Sequence, residues 1–213
     1  MTHRYLVYSP CVNGRIMGQI FGPERQYAIA LNSYNGNANY VSGADYQFGM
    51  AGHKWPCIHA ILPQITDEFD AYCFLDDDIE VTMDDLNRLF AIGTSAGLNL
   101  WQASLSRGSH GYWDFLFHRD ESYMRPVELV EVMMPCFSAE ALKTCFPTFC
   151  ESQSGYGLDQ LWAQMMNWKG LAVVDIVQAG HHRPLMSDSW RLAGGMSAFQ
   201  EGQQLREKYG VAR

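Results

Sequence analysis

The sequence predicts a single α/β domain, and three observations lead to that prediction. Short apolar runs alternate with longer helical stretches, which is the pattern of strands separated by helices. The 213 residues are somewhat more than a typical single domain, but one α/β core can accommodate them. Hydrophobic residues make up 47% of the chain and charged residues only 18%, so a core can form and disorder is not indicated.

The strands are predicted from apolar runs bounded by turn residues or proline. In chain order these runs cover residues 5–10, 27–34, 71–75, 101–106, 127–134 and 171–177. The intervening segment 46–64 is helical in tendency. Clearer helices, with Gly97 and Gly170 as stop signals and Ser138 as an N-cap, are predicted over residues 83–97, 139–146, 158–170 and 196–209.

Charge and composition exclude several classes of function. The formal charge is −8 and the 15 basic residues are scattered, which argues against a surface for nucleic acid. No apolar stretch approaches the roughly 18 residues of a membrane span, and the first ten residues lack the features of a signal peptide. The six cysteines include no C-x-x-C pair, so a zinc ribbon is not indicated. We therefore expect a cytoplasmic protein with no membrane span.

Three successive aspartates, Asp76, Asp77 and Asp78, follow the apolar run AYCFL. Open α/β sheets bind ligands at the carboxyl ends of their strands, and these residues occupy such an end. Adjacent carboxylates repel one another, so a divalent cation with oxygen ligands would stabilise them. The alternative is a solvated turn with an aspartate that caps the next segment.

Two later stretches, GYGLDQLW and AGHHRPL, carry further polar residues. Asp159 begins a predicted helix after Gly155 and Gly157, which would let the backbone approach a ligand. Asp159 could instead only stabilise the helix N-terminus. His181 and His182 follow the last predicted strand, and one imidazole could complete an Asp/His cation site. The alternative for this pair is ordinary polar surface.

Together these residues resemble the GT-A class of nucleotide-sugar glycosyltransferases, which has D-x-D after an apolar strand, a later acidic residue at a helix start and a late histidine. More closely, the chain is similar over residues 46–185 to a glycosyltransferase-like family long described only as a domain of unknown function. The similar segments are KWPCIHAILPQITDEFDAYCFLDDDIEV, NLWQASLS, VEVMMPCFSAEAL, GYGLDQLW and VVDIVQAGHHRP. The chain also resembles glycosyltransferase domains of algal-virus proteins that build capsid glycans.

The resemblance implies one GT-A (Rossmann-like) domain over residues 1–213, with a mixed, mostly parallel central sheet flanked by helices. The nucleotide-binding half would cover about 1–80, the acceptor and catalytic half about 81–190, and a C-terminal helix about 196–209. Because the chain ends soon after this helix, we expect further domains to follow it.

The resemblance also implies a metal-dependent transfer from a UDP-sugar to a glycan hydroxyl. Asp78 would bind Mn²⁺ or Mg²⁺ directly, His181 would be a further ligand, and Asp76 would reach the ribose or a metal-bound water. Asp77 could share this work, and His182 is a rival to His181. The cation would neutralise the diphosphate leaving group and orient the donor.

The remaining roles follow from the same resemblance. Asp159 would be the general base, which predicts inversion at the anomeric carbon; if it only orients the acceptor, retention remains open. Lys54 would contact a phosphate, or is a solvated helix residue. The predicted nucleotide contacts are Ser9, Pro10, Asn32, Lys54, Asp76 and Asp77. Further candidates are Tyr8 and Ser33 at the strand ends and Arg183 for a phosphate. The predicted acceptor contacts are Tyr156, Trp190 and His182, with core packing as the alternative for the two aromatic residues.

Two other classes of function remain open from the sequence. A phosphohydrolase with an aspartate nucleophile also places D-x-D after a strand, although normally after the first strand of its fold. A non-catalytic module that binds nucleotide-sugars or glycans would keep the fold and the metal without turnover.

Overall fold

The structure, a computed structural model, describes residues 3–12, 15–37, 41–185, 191–192 and 194–211. These residues form one mixed sheet flanked by helices. The strands are β1 (Tyr5–Cys11), β2 (Tyr27–Ser33), β3 (Tyr46–Phe48), β4 (Ala71–Phe74), β5 (Ile79–Glu80), β6 (Leu100–Leu105), β7 (Arg125–Pro126), β8 (Cys136–Ser138) and β9 (Leu171–His181). The α-helices are α1 (Lys54–Ile61), α2 (Met83–Ser95), α3 (Ala139–Cys145), α4 (Leu158–Met165) and α5 (Ala198–Tyr209).

The sheet has the strand order β3-β2-β1-β4-β8-β6-β9-β5, and β7 pairs separately with β9. Strands β3, β2, β1 and β4 run parallel, as do β6 and β9. Strand β8 is antiparallel to both of its neighbours, β4 and β6. The predicted mixed, mostly parallel sheet is therefore confirmed, and the carboxyl ends of β1, β2 and β4 lie at one edge.

Helices cover both faces of this sheet, which explains why β1 and β2 read as continuous apolar runs and are buried throughout. On one face, α2 packs Phe90 against Tyr5 with the ring centroids 4.6 Å apart. On the other face, Trp55 of α1 meets Trp162 of α4 at 4.7 Å. In the part of the chain that the structure describes, no helix is long and apolar enough to cross a membrane.

The prediction of a strand over residues 127–134 is wrong. This segment is irregular, and the strand is the shorter β8 that follows it. Most of its apolar side chains are buried, and its backbone groups bond to side chains and to scattered backbone groups instead of forming a ladder. The Glu131 N–H donates to Gln102 Oε1 at 2.7 Å, and Lys54 Nζ donates to the Val132 carbonyl at 2.8 Å. A buried loop with these partners has the same hydrophobic pattern as a strand.

The helix predictions were partly right. The Ser138 cap is confirmed, because its hydroxyl accepts the Ala141 N–H, and α2 is followed by Gly97 at φ +63°. The segment 46–64 is divided into β3, α1 and a short 3₁₀ turn. The helix predicted over 158–170 ends at Met165.

Candidate active site

The three aspartates form the turn between β4 and β5. Strand β5 contains two residues and pairs antiparallel with the end of β9, so that Ile79 lies opposite His181. This pairing turns Asp78 towards the end of β9, although β9 is far away in the sequence.

Asp78 and His181 form the most enclosed polar pair of the site. Asp78 Oδ2 lies 3.6 Å from His181 Nε2, and the two residues are only 9% and 6% exposed. His181 Nδ1 lies 2.7 Å from the carbonyl oxygen of His110, which can only accept a hydrogen bond. In the neutral imidazole the proton is therefore on Nδ1, and the lone pair of Nε2 faces Asp78.

The charges around Asp78 shift the pKa values of both partners. Burial favours the neutral form of Asp78, but the hydrogen bond and charge of His181, with the charge of Arg183, hold the pKa of this carboxyl below its ordinary value. The hydrogen bond with Asp78 raises the pKa of His181, although burial opposes this change. Arg183 Nη1 lies 3.3 Å from Asp78 Oδ2, while its side chain is 65% exposed.

His182 points away from this pair. Its Nε2 lies 3.0 Å from Glu80 Oε2, and both side chains are about half exposed. In the β5–β9 pairing Glu80 lies opposite Gly180, two residues before His182, which places the His182 ring on the side of Glu80. The structure brings His181, and not His182, to the aspartates.

Lys54 and Asp76 form a second, separate pair. Lys54 Nζ lies 2.7 Å from Asp76 Oδ1 and also donates to the carbonyls of Phe74 and Val132 at 2.8 Å. Burial raises the pKa of Asp76, and the charge of Lys54 acts against this increase. The lysine side chain is only 12% exposed, so the alternative of a solvated helix residue is wrong. Its ammonium group contacts Asp76 and the strand ends.

A cavity of about 260 Å³ lies next to this pair, lined in part by Lys54, Asp76, Val132 and Ser154. Asp77 is close to Tyr34, since burial, followed by the charge of Asp77, raises the pKa of the Tyr34 hydroxyl. Burial and the charges of Asp78 and Asp76 raise the pKa of Asp77 to about 6.

Asp159 lies in the first turn of α4 and is partly buried. Its Oδ1 accepts the backbone N–H of Gln160 at 2.9 Å, and the side chain of Trp113 is close enough to the carboxylate to lower its pKa. Burial nevertheless raises the pKa of Asp159 above its ordinary value. The carboxylate is therefore oriented by the Gln160 N–H and held in surroundings that favour proton uptake.

The glycines before Asp159 have a different role from the one predicted. A Cβ at Gly155 would lie 2.7 Å from Trp55 Nε1, and one at Gly157 would lie 2.9 Å from the Gly202 carbonyl oxygen. Gly157 also has φ +84°, a conformation that favours glycine. These glycines allow the backbone to approach the core and helix α5, and not a ligand as we expected.

Helix α5 holds the same loop through Glu201. The Glu201 carboxylate accepts hydrogen bonds from Ser152 Oγ at 2.9 Å and from the backbone N–H groups of Gln153 and Ser154 at 2.8 and 2.9 Å. Burial opposes ionisation, but these bonds hold the pKa of Glu201 below its ordinary value. The C-terminal helix thus fixes the segment that leads to Asp159.

One loop, residues 109–113, contacts both parts of the site. The carbonyl of His110 accepts from His181, and the side chain of Trp113 acts on the carboxylate of Asp159. Between them, the backbone N–H of Tyr112 acts on the carboxyl group of Glu131 and opposes the rise of its pKa. Glu131 is not among the site residues predicted from the sequence, and its signal there is a glutamate inside the apolar run VELVEVMM.

The predicted nucleotide contacts at the strand ends are buried. Pro10 and Asn32 are opposite each other in the β1–β2 register, and Ser9 is fully buried. The Asn32 amide accepts from the backbone N–H of Met50 at 2.8 Å and donates to its carbonyl at 3.0 Å. Both ends of this amide are therefore used to fix the loop after β3.

The predicted acceptor residues lie in different surroundings. Tyr156 is partly buried against Gly202 of α5, and His182 is at the surface beside Glu80. Trp190 lies outside the described residues.

No protein-family model matches the chain, and no curated protein matches its sequence. Among solved structures, it is similar to GalNAc-T7 with UDP, GalNAc and Mn²⁺, with a TM-score of 0.62 and 12% identity over 97% of this chain and 49% of that one. It is also similar to TarS of S. aureus, with a TM-score of 0.54 and 10% identity over 80% of this chain and 35% of that one. The chain has the GT-A fold.

This chain spans about half the length of the GalNAc-T7 chain and about a third of the TarS chain. Identities this low establish the shared fold alone. The resemblance to the family of unknown function and to algal-virus domains stays a prediction.

The donor atoms of Asp78 and His181 fit a divalent cation. A carboxylate oxygen and an imidazole nitrogen are both ligands of Mn²⁺, and they face each other at the end of two paired strands. Over the ranges that the structure describes, no group of three acidic, histidine or cysteine side chains forms a ready metal cage.

Proposed function

We propose that this chain is a metal-dependent glycosyltransferase that moves a sugar from a UDP-sugar to a glycan hydroxyl with inversion. The observation that carries the proposal is the arrangement of the Asp78–His181 pair and Asp159 around one loop, at the strand ends of a GT-A fold. The UDP and Mn²⁺ named with GalNAc-T7 support the choice of nucleotide and metal.

In this proposal Asp78 and His181 hold the cation, which when bound supplies Lewis-acid stabilisation of the departing diphosphate. The contact with His110 keeps His181 in the tautomer whose Nε2 can act as a ligand. Arg183 is exposed and lies at the same carboxylate, so it can pair with a phosphate. Asp76 is fixed by Lys54, which places its second oxygen beside the cavity lined by Val132 and Ser154.

Asp159 acts as the general base. It accepts the proton of the acceptor hydroxyl while the hydroxyl oxygen forms a bond to the anomeric carbon. The bond between the anomeric carbon and the diphosphate oxygen breaks, and its electron pair leaves with UDP. The Gln160 N–H holds the carboxylate in position beside Trp113, so no reorganisation is needed at the moment of transfer.

The acceptor would approach from the side of Asp159. Tyr112 is 64% exposed and adjoins Trp113, with the ring centroids 4.9 Å apart. An exposed aromatic ring beside the base can stack on the apolar face of a sugar. Tyr156, Trp190 and His182 stay as proposed acceptor contacts.

Calorimetric titration of UDP and GDP, with Mn²⁺ and after chelation, tests the proposal in the wild type and in Asp78→Ala. We expect UDP to bind only with Mn²⁺ and the variant to lose this binding. A transfer assay with NMR of the product anomer then tests inversion. If neither nucleotide binds under any condition, the proposal is wrong. If UDP–Mn²⁺ binds but no UDP-sugar is transferred or hydrolysed, the chain is the non-catalytic module.

A further inference from the structure

Glu131 is a buried carboxylate that the mechanism above does not use. It is 7% exposed and lies in the irregular segment 127–134, whose Val132 carbonyl is bonded to Lys54 of the site. Its backbone N–H donates to Gln102 Oε1 at 2.7 Å, and the backbone N–H of Tyr112 acts on its carboxyl group and opposes the rise of its pKa. Among the described residues, Oε2 has no hydrogen-bond partner.

A buried carboxyl oxygen without a partner is unfavourable and rare in folded proteins. Glu131 could have been leucine or methionine like its neighbours, and the core would then contain no unpaired polar atom. A polar group of a bound ligand would supply the hydrogen-bond partner that Glu131 Oε2 lacks.

The surroundings of Glu131 indicate which ligand this is. The two residues after Glu131 contact the site directly, because the Val132 carbonyl accepts from Lys54 Nζ at 2.8 Å and the Met133 carbonyl accepts the Asp76 N–H at 2.9 Å. The charges of Asp159, His181 and Asp76 all act on the carboxyl group of Glu131. The loop 109–113 adjoins the same groups, since the His110 carbonyl lies 2.7 Å from His181 Nδ1 and the Tyr112 N–H acts on the pKa of Glu131. Glu131 is therefore close to the proposed metal ligands and to the proposed base.

We propose that Glu131 binds a hydroxyl group of the donor sugar and thereby helps to select that sugar. This inference rests on the proposed function. The sugar is attached to the diphosphate at Asp78, and its anomeric carbon must reach an acceptor oxygen at Asp159. The group between these two points is consequently the sugar itself.

A sugar hydroxyl fits Glu131 in either protonation state. It can donate to a carboxylate, and it can accept from a carboxylic acid. Burial, followed by the charge of Asp159, raises the pKa of Glu131 to about 8, so both forms are accessible near neutral pH. The contact does not depend on which form is present.

The test compares Glu131→Met, which is similar in length but has no polar oxygen, with Glu131→Gln, which keeps hydrogen-bonding capacity. Calorimetry with Mn²⁺ measures the affinity for UDP and for one UDP-sugar. This is whichever of UDP-glucose, UDP-galactose and UDP-GalNAc binds the wild type most tightly. We expect Glu131→Met to leave UDP affinity within about twofold and to weaken the UDP-sugar at least tenfold, with a smaller loss in Glu131→Gln. Thermal unfolding should show that Glu131→Met is at least as stable as the wild type, because it removes an unpaired buried group.

Monodeoxy derivatives of the same UDP-sugar identify the hydroxyl and give a test in the wild type alone. One of them should bind at least tenfold more weakly than the parent to the wild type, and equally well to the wild type and to Glu131→Met. The inference is overturned if Glu131→Met weakens UDP and the UDP-sugar equally, if it weakens neither, or if all monodeoxy derivatives bind like the parent. A wild type that binds no UDP would instead refute the proposed function.

Discussion

Asp78 and His181 face each other across the paired ends of β5 and β9, with 3.6 Å between Oδ2 and Nε2. The next residue, His182, faces the opposite side and contacts Glu80. His182 therefore serves as the control for a substitution of His181. We expect His181→Ala to weaken Mn²⁺-dependent UDP binding by more than about tenfold, because a ligand is lost, and His182→Ala to leave it within about twofold. Titration of Mn²⁺ at saturating UDP measures both; equal effects of the two substitutions would contradict the assignment of His181.

The second prediction concerns the pH dependence of transfer. Asp159 must be ionised to accept a proton, and burial raises its pKa above the ordinary value of 3.8. The rate should therefore fall as the pH decreases through this raised pKa. The Trp113 side chain lowers the pKa, so Trp113→Phe should move the acid limb of the profile to higher pH.

Asp159→Asn tests the same residue without a pH change. It should lower the transfer rate by about 10²- to 10⁴-fold, which is the usual contribution of a general base. UDP–Mn²⁺ affinity should remain within about twofold, because Asp159 is not one of the proposed metal ligands. A variant that retains the wild-type rate would show that another group removes the proton.

The third prediction separates two roles of Lys54. If this lysine mainly neutralises Asp76, Lys54→Met leaves a buried carboxylate without its partner and should destabilise the fold by about 3 kcal/mol. The double variant with Asp76→Asn should recover part of this loss. Urea denaturation at pH 7 measures these changes. Lys143→Met is the matched control, because Lys143 pairs with Glu140 at the surface and should be neutral.

A lysine that binds phosphate would behave differently. Lys54→Met would then weaken UDP and leave the free energy of unfolding almost unchanged. This result would support the phosphate contact that the resemblance implies for Lys54.

The fourth prediction concerns Glu201 and the acid stability of the fold. Its folded-state pKa lies below the ordinary value of 4.5, so its contribution is present above that pH and is lost as the pH falls through the lowered pKa. Glu201→Gln should cost about 2 kcal/mol near neutral pH and should reduce the slope of unfolding free energy against pH on the acid side. Glu207→Gln, an exposed position of the same helix, is the control and should have little effect.

The carboxyl ends of the strands were predictable because their signals are local. An apolar run followed by three aspartates defines the end of β4 without knowledge of the rest of the chain. Likewise, a serine before AEALKTCF is sufficient to predict the cap of α3. The choice between His181 and His182 was not predictable, since it depends on the pairing of β9 with the two-residue strand β5.

Lys54 and Glu131 show a different limit. Both are placed by the segment 127–134, whose buried, irregular backbone supplies the Val132 carbonyl to Lys54 and carries Glu131 under the site. The hydrophobic pattern indicates that such a segment is buried, but it does not indicate the geometry of its backbone. The contacts of residues such as Lys54 and Glu131 with a buried loop can therefore be recognised only from the structure.

The loop 109–113 has a consequence for how this protein can diverge. Its backbone contacts His181 and Glu131, whereas the ring of Tyr112 is 64% exposed. Insertions or deletions in the loop would disturb metal and sugar binding together, but replacement of the Tyr112 side chain would leave the backbone contacts in place. Natural variants with new acceptor preferences should therefore keep the length of this loop and differ at position 112.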